Sequence, residues 1–305
     1  MEVIRIGSRK SKLAVWQAKY VSGLLEARGI KTDLHLIETK GDKVQNVSIA
    51  KIGSKGVFTE ELESLLVNGK VDVAVHSAKD LQSELPDSFE IIAFSQREFI
   101  DDVIVSDTPV DLEDSGLILG TSSTRRTATL KHFYPHIKTV DMRGNLQTRI
   151  QKMRSGICQG LVLAGAGVHR MKYDDLIKVR LPMDQFIPPV GQGALAIEAH
   201  INLDKEKRSI IREVVNHAET ERILLAERAF LRKLEGGCSI PVFANAHLEK
   251  EMLSIKGGIL SLNGQKRIVH EISGTDPHLV GTQLADKVLE DGGAELLTEI
   301  KKFLY

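Results

Sequence analysis

Three groups of residues in this 305-residue chain have types and spacings suited to chemistry. The first is His76-Ser77-Ala78-Lys79-Asp80, directly after the β-branched run 71–75. A carboxylate and an ammonium delivered by a strand end sit where open α/β sheets gather their ligands. Asp80 there is suited to hydrogen bonding or moving protons. The second group is a set of arginines: Arg125 and Arg126, then Arg143 with Arg149, then Arg170, following the short apolar runs 117–119, 139–142 and 161–164. A guanidinium fork pairs two-toothed with carboxylate or phosphate, and the hydroxyls and backbone amides at the helix start after Ser122 and Ser123 add anion donors. The third is Cys238, which follows Gly236 and Gly237 at the end of an amphipathic run. A free cysteine is ordinarily a small buried hydrophobe. One fixed on a glycine turn is instead placed to act as nucleophile or attachment point.

Other motifs lead nowhere. Gly165 and Gly167 begin a GxG, but Arg170 occupies the third glycine position of the dinucleotide fingerprint. The lysine between Gly53 and Gly56 lacks P-loop spacing, and Pro135 between His132 and His136 breaks the helical face a metal pair would share. No metal set is expected. Lys plus Arg and Asp plus Glu both number 41, which argues against a general nucleic-acid binder and leaves anion binding to local clustering. Two cysteines make no disulfide framework, and no run approaches membrane-spanning length. The expectation is a soluble cytoplasmic protein with no membrane partner.

The elements that must position these residues read as α/β. A strand near 3–6, a helix over 13–27 and a strand over 34–39 open the chain. The stretch 42–59, which holds Lys51 and Lys55, lacks any apolar period and reads as a long loop. A helix over 58–67 and the strand before Asp80 follow, and the three strand-and-helix repeats that carry the arginines come next. The segment 186–199, with Pro188-Pro189 and a glycine turn around Gln192, is suited to bring the chain back between two domains. Charged and amphipathic helices (204–217, 220–234), three β-like runs (242–247, 253–259, 267–273) and two closing helices predict a small α+β domain.

Taken together, IRIGSRKSKLAVWQA, KIGSKGVFTEELE, DVAVHSAKD, LGTSSTRR, MRGNLQTR, LAGAGVHR, PPVGQGALAIE and ERAFLRKLEGGCSIPV fall in order over nearly the whole chain. With them the sequence closely resembles the porphobilinogen deaminase (hydroxymethylbilane synthase) family. The resemblance implies two periplasmic-binding-protein-like (type II) α/β domains, 1–96 with 191–215 and 97–190, plus a C-terminal α+β domain, 216–305. It implies a monomeric transferase of tetrapyrrole and haem biosynthesis. Such an enzyme condenses four porphobilinogen molecules head to tail, with loss of ammonia, onto a covalent dipyrromethane cofactor, and water releases the product.

By the same resemblance Cys238 holds the dipyrromethane through a thioether, and Asp80, Lys79 and Arg9 form the catalytic set. Asp80, Ser77, Lys79, Ser123, Arg125, Arg126, Arg143 and Gly144 would surround the cofactor, while Arg9, Arg149, Arg170, Gln17, Gln192 and Lys55 would meet substrate. Physical logic agrees: acetate and propionate groups accumulate on a growing pyrrole chain and need fixed cations. Two departures from the family pattern stand out, Gln82 and the run Phe99-Ile100-Asp101, the latter near the expected crossing between the first two domains. A different class of function, a non-catalytic solute-binding or effector-sensing relative that holds a small polycarboxylate, is the alternative; retention of Cys238 and Asp80 argues against it.

Overall fold

The computed structural model describes residues 3–39, 59–237 and 239–304. Of the predicted loop only Thr59 is included, so Lys51, Lys55 and, further on, Cys238 lie outside the described residues. In chain order the first lobe contributes β1 (Ile4–Arg9), α1 (Lys12–Glu26), β2 (Thr32–Ile37), α2 (Glu60–Val67), β3 (Val73–Ser77) and β4 (Phe89–Phe94). The chain then crosses into β5 (Asp102–Val105), β6 (Ile118–Gly120), α3 (Thr124–Phe133), β7 (Lys138–Val140), α4 (Leu146–Arg154), β8 (Gly160–Ala164), α5 (Gly165–Arg170) and β9 (Ile177–Arg180). It comes back in β10 (Leu195–His200) and α6 (Lys205–Val215). The last unit holds α7 (Ala218–Lys233), β11 (Val242–Glu249), β12 (Met252–Leu260), β13 (Arg267–Gly274), α8 (Pro277–Val288) and α9 (Ala294–Leu304).

Two five-stranded sheets follow one plan. Their orders are β2-β1-β3-β10-β4 and β7-β6-β8-β5-β9. In each, four strands run in one direction, and the strand that enters from the other lobe, β10 or β5, runs antiparallel between the third and fourth of them. This is the paired, type II arrangement of α/β lobes. The carboxyl ends of β1 and β3 in one lobe, and of β6 and β8 in the other, therefore open onto a common cleft, as sheets of this kind demand.

Local pattern explains the elements. Ile4 and Ile6 of β1 face Ala18, Val21 and Leu25 of α1 in one buried cluster, and Ser11 caps that helix by accepting from Ala14 N. β2 starts two residues before the predicted strand because Thr32 and Asp33 pair with Ile4 and Arg5. The sequence pattern does not announce β4, β5 or β9. All four residues of β5 are buried, so it shows no alternation to read.

The last unit is the three-stranded antiparallel sheet β11-β12-β13. α7 and α8 cover it, burying Leu224, Phe230, Ile255 and Leu284 in a cluster that continues into Ala78 and Leu81, on either side of Lys79 and Asp80. The two chain crossings are tied to this unit by Glu227, which is fully buried on α7. Its carboxylate takes two bonds from Arg97, at 2.7 and 3.2 Å, and accepts from the amides of Gly191 and Ala246, both at 2.9 Å. The departures also find contacts here. Phe99 lies under the Arg180 guanidinium (5.4 Å) and edge-on to His169, Asp101 pairs with Arg180, and the Gln82 carbonyl accepts from Arg228.

Candidate active site

A cleft of about 670 Å³ runs between the lobes. Arg9, Lys10, Lys79, Arg126, Arg143 and Arg149 line it, opposed by Glu38 and Asp80 among the described charged lining residues. Each arrives by a strand end or helix start. Arg9 closes β1, Lys79 and Asp80 sit in the 3₁₀ turn after β3, and Arg126 opens α3, where its amide is capped by Ser123 Oγ. Arg143 and Gly144 precede α4, whose cap is Asn145, with Thr148 N donating to its Oδ1 at 2.9 Å. Gly144 adopts φ +114°, and a Cβ there would stand 2.9 Å from Thr148 Cβ. Only glycine gives that turn, and the freed Gly144 carbonyl accepts from Arg149 Nε at 2.7 Å. Arg143 bonds Asp141 at 2.9 Å.

The crowd of cations perturbs its members. Burial, reinforced by Arg126, pulls Lys79 down to about 8 against the opposing pull of Asp80 and Asp102. Burial and then Arg126 likewise bring Arg149 down to about 10. Burial is the main cause of both shifts and the neighbouring guanidiniums add to it, so carboxylates entering the site relieve that repulsion. Asp80, by contrast, is exposed to the cleft.

Some of the anticipated residues meet here and others do not. Arg9, Ser77, Lys79, Asp80, Arg126, Arg143, Gly144 and Arg149 all line the cleft. Gln17 faces a smaller side pocket next to it and donates to Ser77 Oγ at 2.8 Å. Arg125 and Arg170 do not line the cleft. Arg125 is buried, bonded to Asp102 and to the Ile187 carbonyl. Arg170 is buried against Glu98 at 2.6 Å and the Gly193 carbonyl at 2.8 Å, with its guanidinium 5.4 Å from the Trp16 ring. Ser123 serves as the helix cap. Gln192 is fully buried, accepting from Lys79 Nζ at 3.3 Å and donating to Asp102 Oδ1 at 3.0 Å. Lys55 and Cys238 lie outside the described residues.

Asp102, which no sequence motif singles out, organises the second lobe's share of the site. Fully buried at the start of β5, it pairs with both Arg125 and Arg126. Burial pushes its carboxyl up, but the two guanidiniums outweigh that and hold it far below the usual carboxylate range. Arg126 Nε stays buried with no hydrogen-bond partner among the described residues. Sequence offered no signal for Asp102, whose partners stand more than twenty positions away.

A family model described as porphobilinogen deaminase, dipyromethane cofactor binding domain, matches residues 4–208, and one described as porphobilinogen deaminase, C-terminal domain, matches residues 222–290. The porphobilinogen deaminase of Desulfosudis oleivorans is 55% identical over 98% of this chain and 98% of its own length. That of Cytophaga hutchinsonii is 53% identical over 99% and 98%. That of Desulfitobacterium hafniense is 43% identical over 99% and 98%. Among solved structures, a double mutant of the VFT2 domain of Bordetella pertussis BvgS aligns with 70% of this chain and 86% of its own at 16% identity and a TM-score of 0.44. The non-catalytic alternative raised by the sequence finds no support in these relatives.

Proposed function

The chain belongs to the porphobilinogen deaminase family, and from that premise we propose how its residues divide the work of a dipyrromethane-dependent deaminase. It carries the family's cofactor-binding domain and is an enzyme of haem biosynthesis. The observation that carries the division of roles is the cleft itself, in which one exposed aspartate, Asp80, stands among Arg9, Lys10, Lys79, Arg126, Arg143 and Arg149.

These residues fit dipyrromethane. A ligand with several carboxylates satisfies cations held in excess, and it offers the buried Arg126 Nε an acceptor. When bound, the cofactor supplies the free pyrrole carbon to which substrate is added. Arg126, Arg143 and Arg149, with Lys79 and Ser77, hold its carboxylates, and Cys238 anchors it as a thioether. Arg9 and Gln17 orient the incoming porphobilinogen. Asp80 accepts from pyrrole N–H groups and stabilises the positive charge that develops as ammonia leaves the substrate. A preorganised electrostatic contact of that sort supplies about 10² to 10³ in rate.

Arg125, Arg170 and Gln192 act one layer out: Asp102 and Gln192 fix the guanidinium of Arg126 and the ammonium of Lys79. We further propose that the chain works as a cytoplasmic monomer of three units, 1–96 with 191–215, 97–190 and 216–305. Purified protein supplied with porphobilinogen should release ammonia and a linear tetrapyrrole in a ratio of one ammonia per substrate consumed. Binding of porphobilinogen without ammonia release would refute the assignment of catalysis to this cleft.

A further inference from the structure

His76 and Ser77 are neighbours on β3, so their side chains leave opposite faces of the sheet. His76 turns beneath α2, on the face where Ala74 packs against Leu62 and Leu66. It meets Glu198 of β10, whose side chain is fully buried. His76 Nε2 lies 2.9 Å from Glu198 Oε2. The contact is out of line for a hydrogen bond, and among the described residues neither atom has a hydrogen-bond partner, nor do Glu198 Oε1 and Glu63 Oε1. The His76 imidazole and the Glu198 carboxylate thus face each other with these atoms unpartnered, and the half-buried Glu63 of α2 lies within electrostatic reach of both. Such carboxylates are costly to keep charged, and a shared proton lowers the cost.

The cluster has an opening toward the chemistry. A side pocket of about 60 Å³ is lined jointly by Thr59, His76, Ser77, Arg9 and Asp80. Hydroxyl, imidazole, guanidinium and carboxylate groups meet there beside Leu13, Ala14 and Val75, and the pocket is large enough to hold water. We infer that His76, Glu63 and Glu198 form a proton relay behind Asp80, passing one proton through this pocket to the deaminase site and taking one back in each cycle.

This rests on the function proposed above. The cation-lined cleft favours the substrate's aminomethyl group as a neutral amine, so the departing nitrogen needs a proton. The relay gives it as the C–N bond breaks with its electron pair going to nitrogen, and ammonia leaves. A C–C bond then forms, a C–H bond of the acceptor pyrrole breaks with its pair kept on carbon, and that proton refills the relay. Nothing is oxidised or reduced.

Burial, with the like charges of Glu198 and Glu60, raises Glu63 above the ordinary glutamate range, against the pull of Thr59 and His76. Among the described residues, the charged groups facing the cluster include Glu60 on α2, Arg228 on α7, which feels Glu198, and Arg9 and Asp80 across the side pocket.

Infrared difference spectroscopy on the cofactor-loaded protein tests the relay, with Glu63→Gln assigning the band. A protonated carboxyl should be present at neutral pH, and its loss as pH rises should coincide with a fall in deaminase rate. Glu198→Gln removes a charge that raises Glu63, so the band and the basic limb of kcat should move together to lower pH. At neutral pH kcat should drop about tenfold to a hundredfold, in the range of acid–base assistance, with KM changing less than about twofold. A missing band, a band that titrates apart from the rate, or a limb that stays in place in Glu198→Gln overturns the relay. Should that variant fail to fold, the wild-type comparison of band and rate decides alone. Because the band is read without turnover, a wild type with the band but no deaminase activity would contradict the function and not the proton cluster.

Discussion

Gly191 lies with its Cα against the backbone of Lys79: at φ +78°, a Cβ built on Gly191 would stand 2.9 Å from the Lys79 amide nitrogen. The returning chain crossing is thereby in contact with the turn that presents Lys79 and Asp80. Gly191→Ala combines left-handed strain of roughly 1–2 kcal/mol with a backbone clash. Gly29→Ala at φ +76° meets nothing within 4 Å and serves as a strain-only control. Gly191→Ala should lose at least as much stability in urea unfolding and a far larger share of kcat, whereas Gly29→Ala should keep kcat.

Asp80 is exposed and reaches the cleft from a short turn. Asp80→Asn should therefore fold with an unchanged melting temperature yet turn over porphobilinogen about 10² to 10³ times more slowly. Near-normal turnover would remove Asp80 from its role.

Breaking the pairs of Asp102 leaves two buried guanidiniums uncompensated, so Asp102→Asn should cost about 3–5 kcal/mol in urea unfolding at neutral pH. The sign of the acid dependence follows from the depressed carboxyl. Its contribution is complete above the unfolded pKa near 3.9 and is lost as pH falls below it, toward the much lower folded value. Wild type should lose stability over that acid range, and Asp102→Asn should show a flatter curve there.

Lys79 titrates near 8, below a free lysine near 10.4. The fold disfavours its charged form, so its unfavourable contribution to stability is present at neutral pH and fades as pH rises from about 8 to 10.4. Binding has the opposite sign, since the ammonium that attracts carboxylates disappears over the same rise. In Cys238→Ala protein, porphobilinogen affinity measured by calorimetry should weaken severalfold between pH 7 and 9, and Lys79→Arg should flatten that dependence.

How much of this was legible in the sequence depended on locality. The turn after β3 and the arginines after β6, β7 and β8 could be read because a strand end and the residue following it are adjacent in the chain. Direction was not readable in the same way. Arg125 and Arg126 are successive on α3, about 100° apart around the helix; both guanidiniums reach Asp102, but only Arg126 also lines the cleft, while Arg125 ends on the Ile187 carbonyl. Arg170 likewise stands at the expected strand end but is held by Glu98 and the Gly193 carbonyl. Asp102, Glu198 and Glu227 acquire their meaning only from partners distant in sequence, and the short β5, buried throughout, lacks the alternation that would announce it.

In the proposed mechanism this cleft works around a dipyrromethane anchored at Cys238. Its most direct test is the intact mass of the protein purified from cells that make porphobilinogen. The mass should exceed that of the bare chain by two linked pyrrole units, and Cys238→Ala should lack the excess. A wild-type protein with the mass of the unmodified chain, its Cys238 thiol fully titratable, would contradict the claim.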